Sequence, residues 1–137
     1  MKKALCDLAV AENRQLGPRF SLLTLRGVIP GEILPGQFAQ VRVDASKPTF
    51  LRRPISICDA DPEAGTLRLL VRRAGAGTEA LCQAREGDTL NLLLPLGRSF
   101  SAPACKDARI LLVGGGVGVA PMLFYGKWLR ANGYRPE

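Results

Sequence analysis

The stretch TFLRRPISI, residues 49–57, has the composition of a β-strand and an interruption that a strand should not carry. Threonine, phenylalanine, leucine and isoleucine favour extended backbone, and the turn-prone DASKP (44–48) precedes them. In the middle stand Arg52 and Arg53, followed by Pro54. Neighbouring side chains on a strand point to opposite faces, so one arginine must turn inward or into a groove. A buried arginine without a partner is costly, and a proline has no N–H to give to a ladder. One reading places Arg53 beside a bound anion, with Ser56 hydrogen-bonding a ring next to it and Arg52 on the opposite, solvated side. The plainer reading is a solvated edge strand that Pro54 protects.

Working outward, the chain up to about Leu94 is a series of short strands, at 4–12, 19–26, 37–43, 53–58, 66–72 and 88–94. PGE, LPGQF and DADPEAG separate them with the residues that turns require. Six short strands at this spacing predict an antiparallel barrel or sandwich, because closure protects the edges. The N-terminal MKKALCDLAVA imitates a signal peptide, but Asp7 interrupts its apolar run. It reads instead as a first strand with Cys6, Leu8 and Val10 on one face. GAGTEALCQAREGD (75–88) breaks the rhythm and predicts a two-turn helix, with Thr78 as N-cap and Gly87 as its stop.

Beyond PLGRSFSAPACKD the character changes. An apolar run at 109–113, a glycine loop at Gly114–Gly118 and a helix ending near Gly133 form the opening unit of a parallel α/β sheet, its strand buried on both faces. The expected division is therefore a barrel domain at 1–100, then a linker and an incomplete α/β domain at 101–137. The glycine loop lacks the Lys-Ser or Lys-Thr of a P-loop, and Val119 stands where G-x-G-x-x-G needs its third glycine. Its glycines would still let a pyrophosphate or nicotinamide approach a helix N-terminus, and Pro121 fits that helix's first turn. A tight strand-to-helix turn without a ligand fits the same residues, as a simple helix cap fits Gly77 and Thr78.

The net charge of +7 rests largely on arginine, whose planar fork suits phosphate, either of a cofactor or of nucleic acid. Nucleic-acid barrels need aromatic platforms on a basic face, and here aromatics are only 6% of residues and scattered. The four cysteines, at 6, 58, 82 and 105, form no C-x-x-C pair, and the chain has no histidine. This spacing supports neither a zinc site nor a complete iron–sulfur motif and predicts reduced core thiols in a cytoplasmic protein. No apolar run reaches membrane-spanning length.

The order Arg-x-x-Ser, Gly-Thr, then strand–glycine loop–helix resembles the ferredoxin–NADP reductase superfamily. More closely it resembles the electron-transfer subunits of NAD-linked (B-type) dihydroorotate dehydrogenases. LPGQF, FLRRPISI, GAGT, GDTLNLLLPLG and LLVGGGVGVAPM carry the resemblance, from about residue 34 to 122. It implies a mostly β fold: a six-stranded antiparallel Greek-key FAD-binding barrel with one short helix, followed by the first β-α unit of an NAD-binding α/β domain. It implies that Arg53, Pro54, Ile55 and Ser56 form the FAD motif, the arginine on the phosphates and the serine near the flavin, with isoleucine where many relatives stack a tyrosine. Leu70, Val71 and Arg72 would contact the flavin or its ribityl chain, partly through backbone. Gly77 and Thr78 would hold the pyrophosphate, and Gly114, Gly115, Gly116 and Gly118 would approach NAD. In the family, electrons pass from NADH through FAD and a [2Fe–2S] cluster to an FMN-containing catalytic subunit in a heterotetramer, which makes orotate for pyrimidine biosynthesis. The cluster ligands and most of the NAD domain are absent from these 137 residues, so the chain alone is expected to be inactive. Related flavin subunits of sulfide or ferredoxin–NADP oxidoreductases share the same motifs. Partnership with nucleic acid or membrane is not expected.

Overall fold

The computed structural model describes residues 2–44 and 50–137; most of the DASKP turn lies outside the described residues. Six strands, β1 (Ala4–Gln15), β2 (Phe20–Arg26), β3 (Phe38–Val41), β4 (Arg53–Asp61), β5 (Thr66–Arg72) and β6 (Thr89–Leu96), close into an antiparallel barrel in the order β1-β2-β5-β4-β3-β6. Strands β3, β4 and β5 are consecutive neighbours and β2 returns beside β5, which is a Greek key. Strict alternation drives closure. In β5, Leu67, Leu69 and Val71 are fully buried while Arg68 and Arg72 face out. Leu8, Val10, Leu23, Leu25, Ile57, Leu92 and Leu94 meet them in one core.

Strand β1 runs three residues further than its apolar pattern predicts. A bulge between Val10 and Glu12 bends it, so that its first half pairs with β6 and its second with β2. The extra residues are polar because they do local work. Asn13 Nδ2 donates to the carbonyls of Cys82 and Ala84 at 2.9 and 2.7 Å, and Gln15 Nε2 donates to the Cys82 carbonyl. These bonds satisfy the end of helix α1 (Ala76–Cys82), which is shorter than the predicted 75–88. Gly87 does not stop that helix; it lies in the following turn, at φ +90°, where Asp88 accepts the Arg85 N–H.

The glycine loop ends in a single 3-10 turn (Gly116–Gly118) that leads directly into helix α2 (Val119–Ala131). Pro121 does sit in its first turn, and Gly133 (φ +83°) closes it as expected, with the Tyr134 N–H donating to the Leu129 carbonyl. The predicted strand at 109–113 is reduced to one parallel bridge, Ile110 to Pro136, flanked by Leu112 N–H to Glu137 O (2.8 Å) and Glu137 N–H to Ile110 O (2.9 Å). Nor is it buried on both faces. Leu112 packs under α2 beside Gly126, whereas Leu111 and Val113 remain 74% and 77% exposed.

Helix α2 lies against β4. Phe124 enters the barrel's apolar cluster, Leu129 is fully buried, and Lys127 Nζ meets Asp59 Oδ1 at 2.7 Å. A row of rings, Phe100, Tyr125, Trp128 and Tyr134, with centroids 5.0, 6.1 and 6.5 Å apart, ties the linker to the helix. Among the described residues no helix is long and apolar enough to cross a membrane, and no group of three His, Cys, Asp or Glu is placed to hold a metal.

All four cysteines are free, but Cys105 is exposed and not a core thiol. Burial, then the neighbouring Asp59, raises the Cys58 thiol above its ordinary value; burial and Asp7 do the same at Cys6. At neutral pH a maleimide should therefore modify Cys105 first, and Cys58 and Cys82 only on unfolding, as peptide mapping would establish. Phe124→Ala should cost about 3–5 kcal/mol in urea denaturation, within a single transition. Two separate transitions would show that α2 unfolds independently of the barrel.

Candidate flavin and nucleotide site

The arginine pair is resolved by where β4 begins. Arg53 has the inward parity of Ile55 and Ile57, but it lies at the barrel mouth, under helix α1. Its stem crosses Gly77: a Cβ built there would stand 2.5 Å from Arg53 Nε and 3.1 Å from Cδ. A side chain at this position would push the arginine aside, and the bare glycine backbone lets it pass. No hydrogen bond or ion pair engages the Arg53 guanidinium among the described residues. Arg52 is not the solvated neighbour that alternation predicts. It reaches over β3, and its guanidinium donates to the carbonyls of Gln40 (3.2 Å) and Asn91 (3.1 Å) and to Asn91 Oδ1 (2.5 Å).

Pro54 sits where the β4–β5 ladder has already ended, although Gln40 of β3 is still its neighbour on the other side. Ile57 donates its N–H to Gln37 on the β3 side, so the even residues of β4 turn theirs toward β5. The β4–β5 register runs from Asp61↔Thr66 to Ile57↔Leu69 and ends there. Pro54 lies beyond it, on the seam it could not have joined. Continuing the register brings Ser56 level with Leu70 and Pro54 level with Arg72. Pro54, Ser56 and Arg72 are exposed, and Leu70 is half-buried on the same outer face. Ile55 and Val71 point the other way, 8% and 0% exposed, so they offer this face only backbone.

Thr78 does not cap α1; Gly75 does, and Thr78 is the third helical residue. The Thr78 hydroxyl is consumed within its own loop, accepting the N–H of Ala74 (2.8 Å) and Gly75 (3.1 Å) and donating to the Gly75 carbonyl. What remains for an anion is backbone. The N–H groups of Ala76, Gly77 and Thr78 have no partner among the described residues. Arg73, just before the helix, is engaged at 2.6 Å by Glu79 and also by Gln15.

The glycine loop approaches the same face, its 3-10 turn lying against β5. Gly114 is sterically obligatory, since a Cβ would meet Val119 Cα at 2.8 Å. Gly116 has φ +57°, where other residues are strained. Around Gly115 and Gly118 there is open space, so packing within the chain does not account for them. A cleft of about 350 Å³ lies between β2, β4, β5 and the start of α2, lined by Leu22, Cys58, Leu70, Val119 and Leu123 and by the charged Asp59, Arg68 and Lys127. Its walls are mostly apolar, and its β2 and α2 residues carry the spacing of an ordinary core, so the sequence does not mark them out. A larger groove of about 860 Å³, under 106–111 and 133–137, lies apart from every barrel motif.

No family model matches the chain. It is 42% identical over 132 residues to the dihydroorotate dehydrogenase B (NAD(+)) electron transfer subunit of Geobacillus kaustophilus, covering 93% of this chain and 51% of that protein. The subunit of the same description from Shouchella clausii is 44% identical over 114 residues, 79% of this chain and 44% of that one. The chain thus spans about half the length of the curated relatives it matches. Among solved structures, an NADH-dependent reduced ferredoxin–NADP oxidoreductase superposes with a TM-score of 0.83 at 27% identity, covering 94% of this chain and 46% of that one. Phthalate dioxygenase reductase, a modular protein for electron transfer from pyridine nucleotides to [2Fe–2S], gives 0.77 at 25% identity, with 96% and 41% covered. By fold the chain belongs with the ferredoxin–NADP reductase-like proteins, and in sequence it is similar to about half of a dihydroorotate dehydrogenase B electron transfer subunit.

Proposed function

We propose that this chain is the FAD-binding portion of an electron-transfer subunit that carries reducing equivalents from NADH toward a dihydroorotate dehydrogenase. The observation that carries the reading is the Arg53 guanidinium, which has no partner among the described residues and lies across Gly77, beside three backbone N–H groups likewise unpartnered among them. A cation beside backbone amides suits a diphosphate, whose oxygens accept several charge-assisted bonds at once. In this reading Arg53 and the N–H groups of 76–78 hold the pyrophosphate. Pro54, Ser56, Leu70 and Arg72 line the flavin's flank, with Ile55 and Val71 contributing backbone. Gly115, Gly116 and Gly118 leave room for a nicotinamide, and Gly114 fixes the loop that presents them.

When bound, FAD would supply the conversion between hydride transfer and single-electron transfer. The chain's own part is to fix position and exclude water. One arginine–phosphate bond contributes about 1.5–3 kcal/mol, whereas micromolar binding needs about 8 kcal/mol. Burial of the ring along the apolar cleft must supply most of the remainder, at roughly 25 cal/mol per Å². The NAD domain, the [2Fe–2S] cluster and the FMN-containing catalytic subunit of a heterotetramer belong, in this proposal, to the whole protein that the longer relatives represent.

Titration of the apoprotein with FAD and FMN, followed by flavin fluorescence quenching, tests the reading. FAD should bind more tightly, because FMN lacks the second phosphate; equal affinities would overturn it. Arg53→Ala should weaken FAD binding by about 1.5–3 kcal/mol and leave FMN affinity less affected. Gly77→Ala should change folding stability by less than about 1 kcal/mol, since the displaced group is a flexible side chain. It should nevertheless weaken FAD by displacing Arg53. Retention of wild-type affinity in that variant would show that the crossing of Arg53 and Gly77 does not serve binding.

A further inference from the structure

We infer that Arg52 is a positioning residue for the anion site, acting through Arg53. The inference rests on the FAD reading above but concerns a residue that touches no ligand in it. Both ladders that could hold the start of β4 give out here. Pairing of β3 with β4 ends at Val41↔Arg53, and the β4–β5 register stops at Ile57↔Leu69; toward β6 one further bond, Arg42 N–H to the Asn91 carbonyl at 2.9 Å, follows Val41↔Leu92. Arg53 is therefore the first residue of its strand, secured by backbone on the β3 side alone, directly after the exposed Phe50 and Leu51.

The Arg52 side chain supplies the missing anchorage. Its Nη1 bridges the Gln40 carbonyl of β3 and the Asn91 carbonyl of β6, and its Nη2 donates to Asn91 Oδ1. Asn91 Nδ2 in turn donates to Asp7 Oδ1 of β1 at 2.7 Å. The residue that leads into β4 is thus tied by its guanidinium to β3 and β6, and Asn91 extends the link to β1. The planar fork suits this task, because its divergent donors engage two carbonyls and an amide together, which an ammonium on a flexible stem does not reproduce. With Arg52 committed to these acceptors, the adjacent peptide is fixed and the Arg53 stem leaves it toward Gly77. Without them the 50–53 segment gains freedom, and ordering Arg53 on the anion costs binding energy.

The test is a double-mutant cycle on FAD affinity, using the whole chain well below its melting temperature, with far-UV circular dichroism confirming the fold. Arg52→Met keeps the aliphatic stem and removes the donors. It should weaken FAD binding about 5- to 20-fold when Arg53 is present and less than about 2-fold in an Arg53→Ala background. Arg52→Lys should recover only a small part of the loss. If Arg52→Met does not fold, Asn91→Ala, which removes one acceptor, should give a smaller loss with the same dependence on Arg53. Equal losses in both backgrounds would show a direct ligand or a general effect on the fold and would overturn the inference, as would no loss at all. Failure of the underlying reading is distinguishable: the wild type would then bind no flavin, or Arg53→Ala alone would leave FAD affinity unchanged, and the inference would fall with it.

Discussion

Closure of the barrel by β6 is the interaction on which the other features depend. This strand pairs with β1 along Ala4–Ala9 and with β3 at its other edge, removing both free edges of a six-stranded sheet. Closure encloses the leucine-rich core, and it also gives the barrel ends. Side chains that point inward at mid-strand are core, but at the mouth the same parity opens onto a cap. Ile57 and Arg53 share that parity and have opposite fates for this reason alone.

Helix α1 is the cap, and its shortness follows from the strand beneath it. Asn13 and Gln15 satisfy its terminal carbonyls at Cys82 and Ala84, so the chain turns away before a third turn can form. The start of the helix then faces the mouth with its backbone bare at Gly77, where Arg53 crosses. The polar end of β1 holds the helix in place, so under the proposed function the residues that stabilise the cap also fix where the anion binds.

The strands were legible because alternation is local: Leu67, Leu69 and Val71 announce an inward face within a few residues. The polar extension of β1 was not, since Asn13 finds its acceptors 69 and 71 residues later. Arg52 was misread for the same reason, its partners lying 12 and 39 residues away. Alternation states which way a side chain leaves the backbone, and a long guanidinium can cross a neighbouring strand after leaving. Thr78 illustrates a different limit of pattern reading. The Gly77-Thr78 pair does mark a helix start, but from inside the first turn, and the hydroxyl's commitment to Ala74 and Gly75 depends on the extended conformation of Gly75. The run at 109–113 looked like a doubly buried strand because apolarity records what a segment can bury, whereas exposure at Leu111 and Val113 depends on which neighbours are present.

The ring row on helix α2 has an optical consequence. Trp128 is the single tryptophan of the chain, and it lies between Tyr125 and Tyr134 at near-parallel interplanar angles of 23° and 18°. Any ultraviolet emission excited selectively in indole therefore originates at the junction of linker and helix, and from nowhere in the barrel. Flavins absorb where tryptophan emits, so a bound isoalloxazine would act as an energy acceptor for this one donor. The molecule would then carry its own ruler between helix α2 and the proposed flavin site along β4 and β5.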